Sequence, residues 1–374
     1  MTLLRENNRN SKGFFIKTYG CQMNLHDSNS IESSLLKKGF YKADSIKNAD
    51  IIIFNTCSVR DNADHKIVSE LGRFKKNSDK DKKIVLAGCF AKQIKLKNKE
   101  ESGLSFDYCF GPDEITSIPD ILAEEMEEGL DKMDESAGFI TDAMSENGSV
   151  TVKIIEGCSN YCSYCIVPYV RGEEKSVPLG IIYDTVKRHV LNGDREILFL
   201  GQNVNSYISP DDDTKRFCYL LKLISKIEGL GKIRFLTSHP KDFNDELIKL
   251  ICSNDKISKD IHLPVQSGSD KILSAMNRGY TRQDYLKLAR KLKNGHSDIS
   301  ISSDIIVGFP GETDEDFKMT LSLMDEIKFD FIFGFKYSPR PFTKASEIED
   351  DVSIGIKKER LKRVFEKQKK IKNG

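Results

Sequence analysis

The sequence predicts an α/β protein in two parts: a small parallel-sheet α/β domain over residues 13–122, then a partial (βα)6 barrel over residues 151–345. Three observations carry that expectation. Apolar runs of strand length alternate with helix-like stretches along nearly the whole chain, which is the pattern of βα units. The units fall into two series, three and then six, parted by an acidic stretch. Polar residues and cysteines gather just after the apolar runs, at the strand ends where α/β sheets and barrels place their sites.

In the first series FFIKTY (14–19) reads as a strand and SNSIESSLLKKG as the helix after it. ADIIIFNT (49–56) precedes the helical NADHKIVSELGRFKK, and KKIVLAG (82–88) precedes another helical or loop region. Each strand ends in a cysteine: Cys21, Cys57 and Cys89. Free cysteines are often just small buried hydrophobes. Three at equivalent strand ends are expected instead to converge on one edge of the sheet. Cys109, Cys218 and Cys252 lack that placement and read as structural.

The acidic, Gly/Ser-containing stretch 123–150 reads as a linker. Six buried strands are expected after it: VKIIEG (152–157), EILFLGQ (196–202), KIRFLTSH (232–239), DIHLPVQS (260–267), ISSDIIVGFP (301–310) and FIFGFKYS (331–338). Helical stretches such as LGIIYDTVKRHVLNG and FKMTLSLMDEIK separate them. Residues 346–374 form a basic helical tail, in which KKERLKRVFEKQKKIKNG has nine Lys/Arg against two Glu. A solvated helix face is the plain reading of such a run.

Composition narrows the function classes. Of 374 residues, 39% are hydrophobic and 31% charged, as in ordinary globular proteins. The start MTLLRENNRNSKG has no apolar signal segment, and no run of about 18 apolar residues occurs. A cytoplasmic protein with reduced thiols is expected, and nine cysteines, an odd count, speak against a disulfide framework. The net charge of +1 gives no global field for nucleic acid.

GCSNYCSYCIVPYVRG (157–172) packs Cys158, Cys162 and Cys165 into eight positions at the exit of the first barrel strand. A zinc site needs a fourth ligand, and no second short-spaced pair follows. A disulfide leaves one thiol over. A 4Fe–4S cluster on three thiolates leaves one iron without a protein ligand, able to chelate S-adenosylmethionine.

This C-x3-C-x2-C run, with Tyr164 before its last cysteine, resembles the radical S-adenosylmethionine superfamily. In that resemblance LFLGQNVNSY, with Gln202 and Asn203, lies near the methionine moiety. HLPVQSGSD, with Gln266 and Ser267, lies near the ribose, and SSDIIVGFPGE, with Gly308, approaches the adenine. With Cys21, Cys57 and Cys89 in view, the chain resembles the methylthiotransferases, MiaB type. TYGCQMNLHDS, FNTCSVRDNADHK, AGCFAKQ, FLTSHP, MNRGYT and YSPRPFT join the motifs above in the family's order, over roughly residues 13–370.

The resemblance implies two 4Fe–4S clusters, one on Cys21, Cys57 and Cys89 and one on Cys158, Cys162 and Cys165, together with S-adenosylmethionine. It implies methylthiolation of C2 of N6-isopentenyladenosine next to the anticodon, started by a 5′-deoxyadenosyl radical. The partners it implies are tRNA, through its anticodon loop, and an electron donor such as flavodoxin or ferredoxin. A monomer with no membrane association is expected. Another tRNA adenosine, a protein residue, or a non-catalytic iron–sulfur RNA-binding role are the alternatives.

Glu156 and Arg171 flank the barrel cysteines, as contacts to cofactor or substrate or as surface ion pairs. Gln22 and Asn24 shape a pocket or cap a helix. The chain departs from the family at Val177, where an arginine is usual, and at Phe342, where a glycine is usual, with Lys344 also different. It also reaches Gly374 without the family's small β-barrel RNA-binding module of the TRAM type, so phosphate contacts to tRNA should be fewer.

Overall fold

Parallel strands whose ends fall in register define the first half of the molecule. The computed structural model describes residues 12–58, 61–76, 82–97, 103–125, 144–146 and 148–373. The chain divides into two compact units. One holds the described residues before 143 together with Tyr169–Arg171, and the other holds Ala143–Pro168 and Gly172–Gly374.

In the first unit, β1 (Gly13–Tyr19), α1 (Gln22–Lys37), β2 (Tyr41–Lys42), β3 (Ile51–Thr56), α2 (Asp61–Lys76), β4 (Lys83–Gly88), α3 (Cys89–Lys97), β5 (Tyr108–Phe110) and α4 (Ile118–Glu125) follow one another. The sheet order is β2-β1-β3-β4-β5, all parallel. Every residue of β3 is buried, as expected of a central strand covered on both faces. One face packs Ile51, Ile53 and Val85 on α1 and α4, and the other packs Ile52, Phe54 and Leu86 on α2 and α3. The predicted strands and helices of this series are all present, shifted by a few residues at their ends.

The second unit opens with β6 (Met144–Glu146) and β7 (Ser149–Lys153), an antiparallel pair, so the carboxyl end of the expected linker is strand. Residues 126–143 of that linker lie outside the described residues. Next come β8 (Ile155–Glu156), α5 (Val167–Arg171), whose last three residues group with the first unit, β9 (Lys175–Ser176), α6 (Leu179–Leu191), β10 (Glu196–Leu200), β11 (Ile208–Ser209), β12 (Asp212–Arg216), α7 (Phe217–Ser225) and β13 (Lys232–Phe235). The series closes with α8 (Asp245–Ser253), β14 (Asp260–His262), α9 (Asp270–Ala275), α10 (Arg282–Gly295), β15 (Ser300–Val307), α11 (Asp314–Ile327), β16 (Phe331–Lys336) and α12 (Ile354–Asn373).

Two parallel arcs, β7-β10-β13 and β14-β15-β16, form the partial barrel, joined by a bridge between Ile233 and Ile257. The fold is α/β with a partial barrel, as the sequence predicts. One expectation needs correction: the six barrel strands are not buried throughout. Along β15 burial alternates, with Ile301, Ile305 and Val307 packed in the main core and Ser302 and Asp304 on the other face. A Cβ on Gly334 of β16 would meet Leu361 and Phe365 of α12, so Phe331, Phe333 and Phe335 stand on the opposite, inner face. They are 51%, 46% and 44% exposed. An incompletely closed barrel leaves its inner face reachable by solvent, and period-2 alternation follows.

Helix starts are fixed by side chains: Thr313 and Asp316 form a capping box on α11, as Thr281 and Asp284 do on α10. The basic tail is docked rather than uniformly solvated. Arg360 of α12 binds buried Glu312 at 2.7 Å and Asp314 at 2.7 Å, Lys357 pairs with Asp350, and Lys367 with Asp325. Among the described residues no helix is long and apolar enough to cross a membrane.

Candidate functional site

The register Tyr19↔Thr56↔Gly88 ends three neighbouring strands level with one another. Cys57 and Cys89 follow those ends directly and Cys21 one residue later, so a parallel sheet gathers three cysteines that lie far apart in sequence. Cys57 N–H donates to Tyr19 O at 2.9 Å, and Cys89 begins α3. Gly88 turns the chain at φ +88, where a Cβ would meet Thr56 O at 2.7 Å. Only glycine fits that approach.

Behind the cysteines is a buried polar network. Asn24 Oδ1 accepts from Cys21 N and from Cys21 Sγ, each at 3.3 Å, while Asn24 Nδ2 donates to Asn55 Oδ1 at 3.1 Å. Asn55 Nδ2 donates to Ser28 Oγ at 2.9 Å. Asn24 therefore both caps α1 and anchors the cysteine loop, whereas Gln22 is exposed.

Arg171, grouped with this unit, is buried rather than part of a surface pair. Its Nη2 donates to Asp27 Oδ2 at 2.6 Å and its Nε to Cys89 Sγ at 3.3 Å. The bond with Cys57 holds the Cys21 thiol down at about 5 against its burial, with help from Arg171. Burial pushes the Cys89 thiol up, opposed by Arg171.

In the second unit, one loop supplies all three sulfurs. Gly157, at φ +82 with Glu173 O where a Cβ would stand, starts the loop, and Cys158 N–H donates to Gly172 O at 3.1 Å. Cys165 N–H closes a turn on Cys162 O at 2.9 Å. Burial pushes the Cys158 thiol up to about 11. Burial, then repulsion from Cys162, pushes Cys165 up to about 12.

Arg278 is buried and its Nη1 donates to Cys162 Sγ at 3.3 Å. His239 presents Nε2 at 4.0 Å from the same sulfur. Its Nδ1 accepts from Lys241 N–H, which leaves the ring proton on Nε2. Burial, Arg278 and Lys241 hold this imidazole neutral, its pKa down at about 2.

The residues assigned to the S-adenosylmethionine face divide by environment. Gln202 Oε1 accepts from Gly157 N at 2.6 Å, so it fixes the cysteine loop. Asn203 Nδ2 donates to Asp242 at 2.7 Å. Ser267 is tied to Thr320 and Ser269 inside the fold. Gly308, at φ +71, is covered by the Lys357 side chain and donates to Glu312 at 2.7 Å. Gln266 sits at φ +73. Glu156 pairs with Lys153 at 2.9 Å, and Val177 is core, its carbonyl accepting from Tyr207 OH at 2.8 Å.

Among the described residues, four buried polar atoms near these strand ends have no partner: Asn160 Nδ2, Asn203 Oδ1, Ser238 Oγ and Gln266 Oε1. Buried polar atoms are rarely left unpaired, and these fit a polar cofactor at the carboxyl edge of the barrel. Among the described residues no three His, Cys, Asp or Glu side chains form a group that could hold a metal ion. The fit to iron–sulfur clusters rests on the donor sets, three thiols apiece with an arginine N–H on one sulfur.

Asp27, His239 and Arg278 were not singled out from sequence. The signal available for Arg278 was a lone charge within MNRGYT, between apolar stretches. Asp27 and His239 lie in motifs with no spacing that marks their role.

Residues 13–111 match the model of the uncharacterized protein family UPF0004, and residues 152–324 match the radical SAM superfamily. The tRNA-2-methylthio-N(6)-dimethylallyladenosine synthase of Ralstonia pickettii is 44% identical over 94% of this chain and 79% of the relative. That of Caldicellulosiruptor saccharolyticus is 42% identical over 96% and 78%. Among solved structures, the radical S-adenosylmethionine methyltransferase TsrM from Kitasatospora setae matches with a TM-score of 0.64 at 14% identity, over 90% of this chain and 75% of that one, a likeness of fold. By sequence, the chain belongs to the tRNA-2-methylthio-N(6)-dimethylallyladenosine synthase family of radical SAM proteins.

Proposed function

We infer that this protein is a tRNA methylthiotransferase that adds a methylthio group to C2 of N6-isopentenyladenosine beside the anticodon. The observation that carries the reading is the pairing of two three-cysteine sets, one at a sheet edge and one in a barrel loop, in a chain of this family. Iron–sulfur clusters on the two sets, with S-adenosylmethionine, supply hydrogen-atom abstraction at an unactivated carbon and a sulfur to insert there.

The chain's own residues prepare that chemistry. Cys158, Cys162 and Cys165 would hold the barrel cluster, with Gln202 fixing their loop through Gly157. Asn203, Ser238 and Gln266 offer unpaired polar atoms to S-adenosylmethionine. Cys21, Cys57 and Cys89 would hold the other cluster, with Asn24 and Asn55 bracing them.

A prenylated adenine needs apolar surface and hydrogen-bond partners together. The inner face of the barrel has both: Phe331, Phe333 and Phe335 on β16, beside His262, Ser302 and Asp304. An anticodon-loop base is splayed out at small cost, which suits such a pocket. Lys358, Lys362 and Lys369 line a shallow groove with Leu361 and Phe365, and supply cations for RNA phosphates. A cytoplasmic location and a flavodoxin or ferredoxin as electron donor belong to the same reading.

The test is iron content and product formation after anaerobic reconstitution. About eight irons per chain are expected, falling to about four in Cys158→Ala/Cys162→Ala/Cys165→Ala and likewise in Cys21→Ala/Cys57→Ala/Cys89→Ala. The barrel variant should lose both cleavage of S-adenosylmethionine and methylthiolation of isopentenylated tRNA. The other variant should keep the cleavage and lose only the product. About four irons in the parent protein, all lost with the barrel cysteines, would overturn the sulfur-insertion reading.

A further inference from the structure

Arg278 lies in the loop between α9 and α10 and is 4% exposed. Its Nη1 donates to Cys162 Sγ and to Tyr164 OH, each at 3.3 Å. Nη2 donates to Pro264 O at 2.9 Å and Nε to Tyr280 OH at 3.0 Å. Taking a guanidinium this deep out of water costs several kcal/mol unless an anion faces it.

Other arginines of the molecule have such an anion: Arg171 has Asp27, Arg282 has Glu326 and Arg360 has Glu312. Among the described residues, no carboxylate pairs with Arg278. It contacts two phenols, a carbonyl and a sulfur. Phenols are neutral near pH 7, so Cys162 is the contact able to carry the balancing negative charge.

We propose that Arg278 is the buried counter-ion of the barrel's iron–sulfur cluster, a positioning residue that sets the cluster's reduction potential through its N–H bond to Cys162 Sγ. The proposal rests on the reading that Cys158, Cys162 and Cys165 hold that cluster. Three thiolates concentrate negative charge in a site of low dielectric, and reduction adds one more. A fixed cation bonded to one sulfur favours the reduced form over the oxidised one, because net charge and hydrogen bonds to sulfur set such potentials. His239 adds an N–H dipole near the same sulfur but no charge, so it cannot replace Arg278.

The experiment uses the full chain with Cys21→Ala/Cys57→Ala/Cys89→Ala, so that one cluster gives the signal. Arg278→Gln and Arg278→Lys are compared with this parent by iron content, circular dichroism and an EPR-monitored redox titration. The potential is expected to move negative in both, further for Gln, since Lys keeps the charge but not the planar fork. A folded Gln chain that loses iron while the Lys chain keeps it supports the same conclusion. If Gln does not fold, the Lys variant decides, and an unchanged potential there overturns the proposal. Full iron and the parent's potential in Arg278→Gln overturn it as well. No iron on the barrel set of the parent would overturn the cluster reading itself.

Discussion

The two cysteine sets present the same donors and are built in opposite ways. In the first unit, topology does the gathering: three strands end in register and each delivers one sulfur. In the barrel, a single loop delivers all three. Their electrostatics differ too. Arg171 reaches Cys89 but is already neutralised by Asp27, whereas Arg278 reaches Cys162 with no carboxylate paired to it among the described residues. The first set keeps one thiol, Cys21, at about 5, and the second holds Cys158 and Cys165 at about 11 and about 12. Identical ligand chemistry is thus placed in a locally balanced site and in one whose buried cation waits for negative charge.

The sharpest way to break the contrast is to make the first arginine resemble the second. Asp27 and Arg171 are 5% and 2% exposed, and removing one partner of a buried pair costs about 3–5 kcal/mol. Asp27→Ala should lower stability by that amount in urea denaturation followed by circular dichroism. A loss below about 1 kcal/mol would mean that sulfur, not Asp27, balances Arg171, and the two sites would then be alike.

A second prediction concerns the thiols. Cys21, Cys158 and Cys165 are all partly exposed, so access alone does not separate them. In metal-free protein Cys21, lowered to about 5, is thiolate from pH 6.5 to 8.5, and its alkylation rate should be flat over that range. Cys158, raised to about 11, remains a thiol there, and its rate should climb about tenfold per pH unit. At pH 7 Cys21 should react roughly tenfold faster, since its larger thiolate fraction outweighs the weaker nucleophilicity of a low-pKa sulfur. Mass spectrometry of the labelled cysteines checks both statements. Parallel pH profiles would dissolve the comparison.

This asymmetry also explains what the sequence revealed. The strand-end cysteines were legible because period and length betray strands, and parallel strands share an edge. The C-x3-C-x2-C loop was legible because its ligands are local. Arg278 was not, since its partner Cys162 is 116 residues away and only the folded chain brings them together. The inner face of the barrel was misread for a related reason. Apolar runs such as FIFGFKYS look buried on both faces, and nothing in them says that the barrel stays open where Phe331, Phe333 and Phe335 stand. Nor did the charge count of the tail show that Arg360 and Lys367 are bound to acids of the barrel, and Lys357 to Asp350 of the tail itself.

The smallest effect concerns backbone rather than charge. Both cysteine sites use a glycine in the left-handed region just before a ligand, Gly88 and Gly157. Phe342 takes the same region, at φ +69, without being glycine. An L residue there costs about 1–2 kcal/mol, and glycine gives back roughly 0.5–1 kcal/mol through its freer unfolded chain. Phe342→Gly should therefore stabilise the protein by about 0.5 kcal/mol relative to Phe342→Ala, which removes the same ring but keeps the strain. Comparing the two variants by thermal unfolding isolates the backbone contribution, because both lose the half-exposed ring. If Ala and Gly unfold together, the conformation at 342 carries no strain, and the glycines before the cysteines are there for the close approach of Thr56 and Glu173 rather than for their φ.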